Sequence, residues 1–159
     1  MRLTLILSFL ALSLQAQDPS GEEAIAKVFA VLSGAETKLP SLEERNPLLQ
    51  KGAWEALAYI DRSRVLMPSA EDLMEAVPDY YHFKKDYFLF KLINPKNHNE
   101  YGFEGQLKYR WEKRDLVVLS RDGKEEKDRW TLLYLDENYL ALKMGDLYVF
   151  FTKTRPLEH

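Results

Sequence analysis

Side chains able to act as acid, base, nucleophile or metal ligand are sparse in this chain. It has three histidines and no cysteine. Without thiols there is no thiolate zinc site and no cysteine nucleophile. His82 lies in the aromatic run Tyr80-Tyr81-His82-Phe83, His98 lies in a polar stretch behind Pro95, and His159 is terminal. A metal site needs three or four converging ligands, and a hydrolytic triad needs a serine and a carboxylate placed around the imidazole. The spacing offers neither. The pairs Glu22-Glu23, Glu43-Glu44 and Glu125-Glu126 could divide acid–base work if burial split their pKa values. They fall at helix starts and in turns, where carboxylates are solvated. Gly102 and Gly105 are isolated in a strand-like run and read as a bend or bulge, not as a phosphate cradle. The expectation is no catalytic residue, no metal site and no cofactor.

What remains is apolar chemistry. Aromatic residues make up 13% of the chain. Phe88, Phe90, Phe103, Tyr109, Trp111 and Trp130 either line a cavity or pack as a solid core. The elements that carry them decide which.

The N-terminal residues read as an address. Arg2 precedes an apolar run from Leu3 to Leu14, and Gln15-Ala16-Gln17 forms a small polar exit. This is the pattern of a secretory signal peptide, residues 1–17, with cleavage after Ala16. The run is shorter than the roughly 20 residues of a spanning helix. With no cysteine near the cleavage site, the expected product is exported, periplasmic or secreted, and not a lipoprotein. About 140 residues would remain, the size of one domain. The formal net charge of −3 becomes one unit more negative without Arg2, which argues against nucleic acid and anionic membrane as partners. No later stretch is long and apolar enough to span a membrane.

Residues 18–50 read as a helix and a connector. Ser20 with Glu23 has capping-box spacing, Ile25, Val28, Phe29 and Leu32 share one face, and Gly34 ends the helix. Thr37 to Gln50 reads as a connector with at most one helical turn at Leu42–Arg45. Ala53 to Ile60 is apolar apart from Glu55 and reads as a strand or a buried helix. Arg62 to Pro78 is a long insertion with a short helix capped by Ser69, whose apolar face is Leu73, Met74 and Val77.

Short strands then follow one another at Tyr80–Lys85, Tyr87–Ile93, Tyr101–Lys113, Leu116–Ser120, Trp130–Leu135, Tyr139–Met144 and Leu147–Lys153. Phe103, Leu107, Tyr109 and Trp111 alternate with charged or polar residues, a period of two with one wet face. In Trp130–Leu135, alternation predicts Trp130, Leu132 and Tyr134 on one face and Leu133 and Leu135 on the other. With Ala53 to Ile60, eight antiparallel strands form an all-β up-and-down barrel. Some strands are apolar on both faces, so the outer wall needs a cover, either the Ser20–Gly34 helix or a partner chain.

Gly52-Ala53-Trp54 at the start of the first strand matches the G-x-W motif of lipocalins. Tyr81-His82-Phe83-Lys84-Lys85-Asp86, Trp130-Thr131-Leu132-Leu133 and Tyr148-Val149-Phe150-Phe151-Thr152-Lys153 resemble small secreted bacterial lipocalin-like domains. The resemblance covers roughly Lys51 to Arg155, within a barrel domain of residues 51–156. It departs in lacking a T-D-Y-like motif and in carrying the N-terminal helix. It implies binding of a small, often apolar ligand or of a protein surface, without catalysis. It also implies that Trp54 closes the barrel floor under a cation from the last strand, Arg155 first and Lys153 second.

In such a barrel, the turns near 86, 114 and 137 lie at the Trp54 end and the insertion lies at the other. Phe90, Leu92, Phe103 and Trp130 would then stand near the mouth, with Met67, Leu73 and Met74 as a lid. Two functions stay open: a carrier of a small hydrophobic ligand, or a solid barrel that binds a protein partner as an envelope subunit or inhibitor.

Overall fold

The computed structural model describes residues 26–28, 30–34, 39–61, 64–66, 80–93 and 101–156, with the backbone alone at 61, 64–66, 92–93 and 101–104. Nine strands form one sheet: β1 (Ala53–Asp61), β2 (Arg64–Leu66), β3 (Tyr80–Phe83), β4 (Tyr87–Ile93), β5 (Tyr101–Glu112), β6 (Asp115–Leu119), β7 (Glu126–Leu135), β8 (Tyr139–Met144) and β9 (Leu147–Thr154). Neighbours in sequence pair antiparallel from β3 to β9, and β9 pairs back onto β1 from Ala53↔Thr154 to Asp61↔Leu147. The other edge of β1 takes β3 at its start and β2 at its end. Eight strands therefore close a barrel, and β2 is a short hairpin arm that occupies the spare upper edge of β1. The reading of Arg62–Pro78 as one insertion did not foresee this arm, since three residues carry too little alternation to register.

Closure separates two apolar sets. Inside are Trp54, Tyr59, Tyr81, Phe83, Phe88, Leu116, Leu132, Leu140, Leu142 and Phe151, each less than 2% exposed. Outside, Ile60, Ala141, Phe150, Leu57, Leu133 and Tyr134 form a second cluster with Val28, Val31 and Leu32. Residues 26–28 and 30–32 are helical, so the cover over this wall comes from the chain itself. Ile25 and Phe29, expected on the same face, lie outside the described residues. The gap left between helix and wall is about 10 Å³, at most the space of one water molecule.

Two bulges explain why simple alternation fails here. In β1, Ala56 pairs with Phe151 and Ala58 with Phe150, leaving Leu57 extra. In β7, Leu132 pairs with Leu142 and Tyr134 with Ala141, leaving Leu133 extra. An extra residue shifts the side-chain phase by one. Tyr134 therefore joins Leu133 outside, and Leu135 turns inward against Leu140. This corrects the strict alternation read for Trp130–Leu135. Both bulged leucines face out beneath the N-terminal helical stretch.

Leu42–Gln50 is a nine-residue helix rather than a single turn. The Glu44 carboxylate accepts from both the backbone N–H (2.8 Å) and the hydroxyl (2.7 Å) of Ser41, fixing the first turn. Pro47 inside the helix costs one backbone hydrogen bond. Tertiary contacts at the barrel floor outweigh that loss.

Candidate functional site

The floor of the barrel is built first. Trp54 is wholly buried, and its Nε1–H donates to the Leu49 carbonyl at 2.9 Å. Lys153 lies directly across from Trp54, so both side chains point to the same side, and the Lys153 Nζ stands 5.1 Å from the indole centroid. Gly52 leaves room for this arrangement. A Cβ there would lie 3.1 Å from the Lys153 Cγ and 3.2 Å from the Thr154 carbonyl. The cation over Trp54 is therefore Lys153 and not Arg155, which is exposed beyond the last paired residue, Thr154. Burial lowers the Lys153 pKa and the nearby Lys51 lowers it further, against a smaller opposing pull from Glu137 and Asp136.

The Leu42–Gln50 helix plugs this floor by gripping the turns around it. Gln50 Nε2 donates to the Lys84 carbonyl at 2.9 Å in the β3–β4 turn. The Arg45 guanidinium donates to the Lys113 carbonyl in the β5–β6 turn and lies 5.2 Å from the Trp111 ring centroid. Asn46 Oδ1 accepts from Trp111 Nε1 at 2.9 Å. Lys51, just past the helix, pairs with Glu137 in the β7–β8 turn at 3.0 Å. Leu49 enters the barrel core with no exposed surface. Sequence reasoning missed these residues because Pro47 broke the helical pattern. The signal that could have found them is Ser41-Leu42-Glu43-Glu44, a second capping-box spacing.

The architecture is a closed eight-stranded antiparallel up-and-down barrel, the fold that the lipocalin resemblance implied. No protein-family model matches the chain, and no curated protein sequence does. Among solved structures it is similar to a lipocalin-like protein from Bacteroides uniformis, at 14% identity and a TM-score of 0.48, covering 67% of this chain and 99% of that one. It is likewise similar to an uncharacterized protein from Bacteroides eggerthii, at 14% identity and a TM-score of 0.48, covering 65% and 98%.

Above the floor, the barrel is filled by rings. Tyr81 meets Phe151 edge-on at 5.4 Å and Trp130 edge-on at 5.6 Å. Phe88 packs on Phe83 at 5.4 Å and on Trp130 at 5.4 Å. Such tilted and edge-on pairs are the favourable aromatic geometries. Trp130, expected at the mouth, is only 6% exposed and caps this layer from above. Its Nε1–H donates to Asp128 Oδ2 at 2.6 Å. Asp128 is exposed and shares the inward face of β7 with Trp130, two residues nearer the open end.

Phe90 is half-buried and packs on Phe88 at 6.1 Å. Leu107 and Leu147, also half-buried, pack onto the same core. Leu92 and Phe103 pair directly across β4 and β5, two residues beyond the Phe90↔Gly105 pair. The two glycines of β5 do different things. Gly102 is the extra residue of a bulge between Leu92↔Phe103 and Ile93↔Tyr101, whereas Gly105 keeps regular register. Met67, Leu73 and Met74 lie outside the described residues.

His82 pairs with Leu89 on the outer face of β3. Among the described residues, no three His, Asp or Glu side chains gather as a metal-holding group. None of the described helices is long and apolar enough to cross a membrane.

Proposed function

We propose that this barrel is an exported binding protein for a small apolar ligand, held in its open half above the aromatic layer and without catalysis. The supporting observation is the change in packing along the barrel axis. Rings fill the interior from Trp54 up to Trp130, while Phe90, the next inward residue above the wholly buried Phe88 on β4, is only half-buried. The helix plug blocks the other end, so entry is from the mouth. Asp128 beside Trp130 disfavours an anionic group there, so the ligand's buried end is neutral. Export rests on the Leu3–Leu14 run alone.

Titration with N-phenyl-1-naphthylamine, a neutral probe that fluoresces in apolar surroundings, tests the reading. Saturable, roughly equimolar binding is expected, with weaker binding of a carboxylated naphthalene. Absence of saturable binding would transfer the function to the outer wall. That second reading, a solid barrel acting on a protein partner, draws support from the completeness of the ring packing below Trp130.

A further inference from the structure

We infer that Gly105 sets the bore of the open half of the barrel by letting the Phe90 ring lie flat against the wall. The inference rests on the ligand-binding reading above. Phe90 and Gly105 are directly opposed on β4 and β5, so both face inward. The tip of the Phe90 ring occupies the space a side chain at 105 would need. An added Cβ would meet Cζ at 2.4 Å, Cε1 at 2.9 Å and Cε2 at 3.1 Å. Real Cβ contacts do not come so close, so any residue but glycine at 105 displaces the ring.

The direction of displacement follows from the neighbours. Toward the floor, Phe90 already packs on Phe88, which is wholly buried. Toward β5, the new methyl group stands in the way. On the β3 side Phe90 stands directly across from the buried Tyr81, so rotation about χ1 carries the ring off the wall toward the barrel axis. The clash is relieved by the far end of one side chain, so the backbone need not move. Alanine is also better than glycine within a strand, where glycine loses more chain entropy and packs nothing. Gly105→Ala therefore leaves the fold intact and narrows the chamber. Phe90 and Gly105 together determine which ligand cross-section fits.

Four proteins and three measurements test this: wild type, Gly105→Ala, Phe90→Leu and the double variant Gly105→Ala/Phe90→Leu. Binding of N-phenyl-1-naphthylamine should weaken at least tenfold in Gly105→Ala while its thermal midpoint stays near that of the wild type. It should return to within about threefold of wild type in the double variant, since leucine is too short to fill the axis. Independently of any ligand, the Gly105 Hα resonances should carry an upfield ring-current shift that disappears in Phe90→Leu. A wild type that binds and a Gly105→Ala variant that binds equally well would overturn the inference and leave the binding function standing. Loss without rescue in the double variant would also overturn it, because the loss would not pass through Phe90. A wild type that fails to bind the probe overturns both.

Discussion

Replacing Leu49 with alanine tests whether the short helix is part of the barrel core or an accessory to it. Leu49 has no exposed surface and belongs to the same cluster as Trp54 and Phe83. Truncating a fully buried leucine costs about 2.7–5.0 kcal/mol, depending on how far the surroundings collapse into the cavity. Leu49 sits on a nine-residue helix at the rim, which can settle inward, so the lower part of that range applies, about 3 kcal/mol. For a domain of this size, that lowers the thermal midpoint by about 10 °C. The Trp54–Leu49 hydrogen bond uses the Leu49 carbonyl, so the substitution leaves it chemically intact. Leu42, on the same helix but 52% exposed, is the control: Leu42→Ala should stay within about 0.5 kcal/mol. The assay is urea unfolding followed by tryptophan fluorescence, analysed for midpoint and slope. If Leu49→Ala and Leu42→Ala prove equally mild, the helix does not close the floor and the account of the Trp54 end is wrong.

Lys113 adopts φ +54 in the β5–β6 turn, a left-handed conformation costly for a side-chain-bearing residue, so Lys113→Gly should stabilise the fold by about 0.5–1 kcal/mol in the same assay. Tyr109 donates to the Lys84 carbonyl at 2.7 Å. Burial pushes its pKa above the ordinary value near 10, the hydrogen bond from Gln50 works against this, and the Asp86 charge adds to it. The folded state thus holds the phenol proton more tightly than the unfolded chain. Stability should be intact below about pH 10 and fall as pH rises through the folded pKa, and Tyr109→Phe should flatten that alkaline decline in urea titrations. Removing residues 1–38 uncovers Ile60, Ala141 and Phe150 while sparing the floor helix, and light scattering should show the truncated chain associating. Asp136 pairs with Lys27 at 3.6 Å and accepts from the Tyr134 hydroxyl at 2.6 Å. Burial raises the Asp136 pKa, but its hydrogen bonds and Lys27 outweigh this and hold it below the usual range. Stability from Asp136 is therefore present at neutral pH and lost as pH falls through that lowered value, and Asp136→Asn should remove this part of the acid sensitivity.

The barrel was legible because antiparallel strands joined by tight turns repeat a period of two, and Phe103 to Trp111 shows it without interruption. The floor cation was half legible. The last strand had to end beside Trp54, but choosing Lys153 over Arg155 required the register, which alternation alone leaves free by two residues. Tyr134 was misplaced because a bulge leaves no mark when three apolar residues stand in a row, as Leu132, Leu133 and Tyr134 do. The grip of Arg45, Asn46 and Gln50 was illegible for a different reason. Polar residues that bond turn carbonyls look, in sequence, like any solvated helix face.

The closing pair of strands has a kinetic consequence. β1 is the first strand and β9 the last, and their register runs from Ala53↔Thr154 to Asp61↔Leu147, so nearly the whole barrel sequence separates the partners. The chain must search for its most distant contact before either edge is protected, and topologies of this kind fold in milliseconds to seconds rather than microseconds. Until then, β1 and the growing end of the sheet are open templates for pairing with another chain. The floor helix has already emerged when β3 appears, and it can collect the turns at Lys84, Lys113 and Glu137 in the order they are made. It works as an assembly jig: by holding alternate hairpins in place, it shortens the search that brings β9 home to β1.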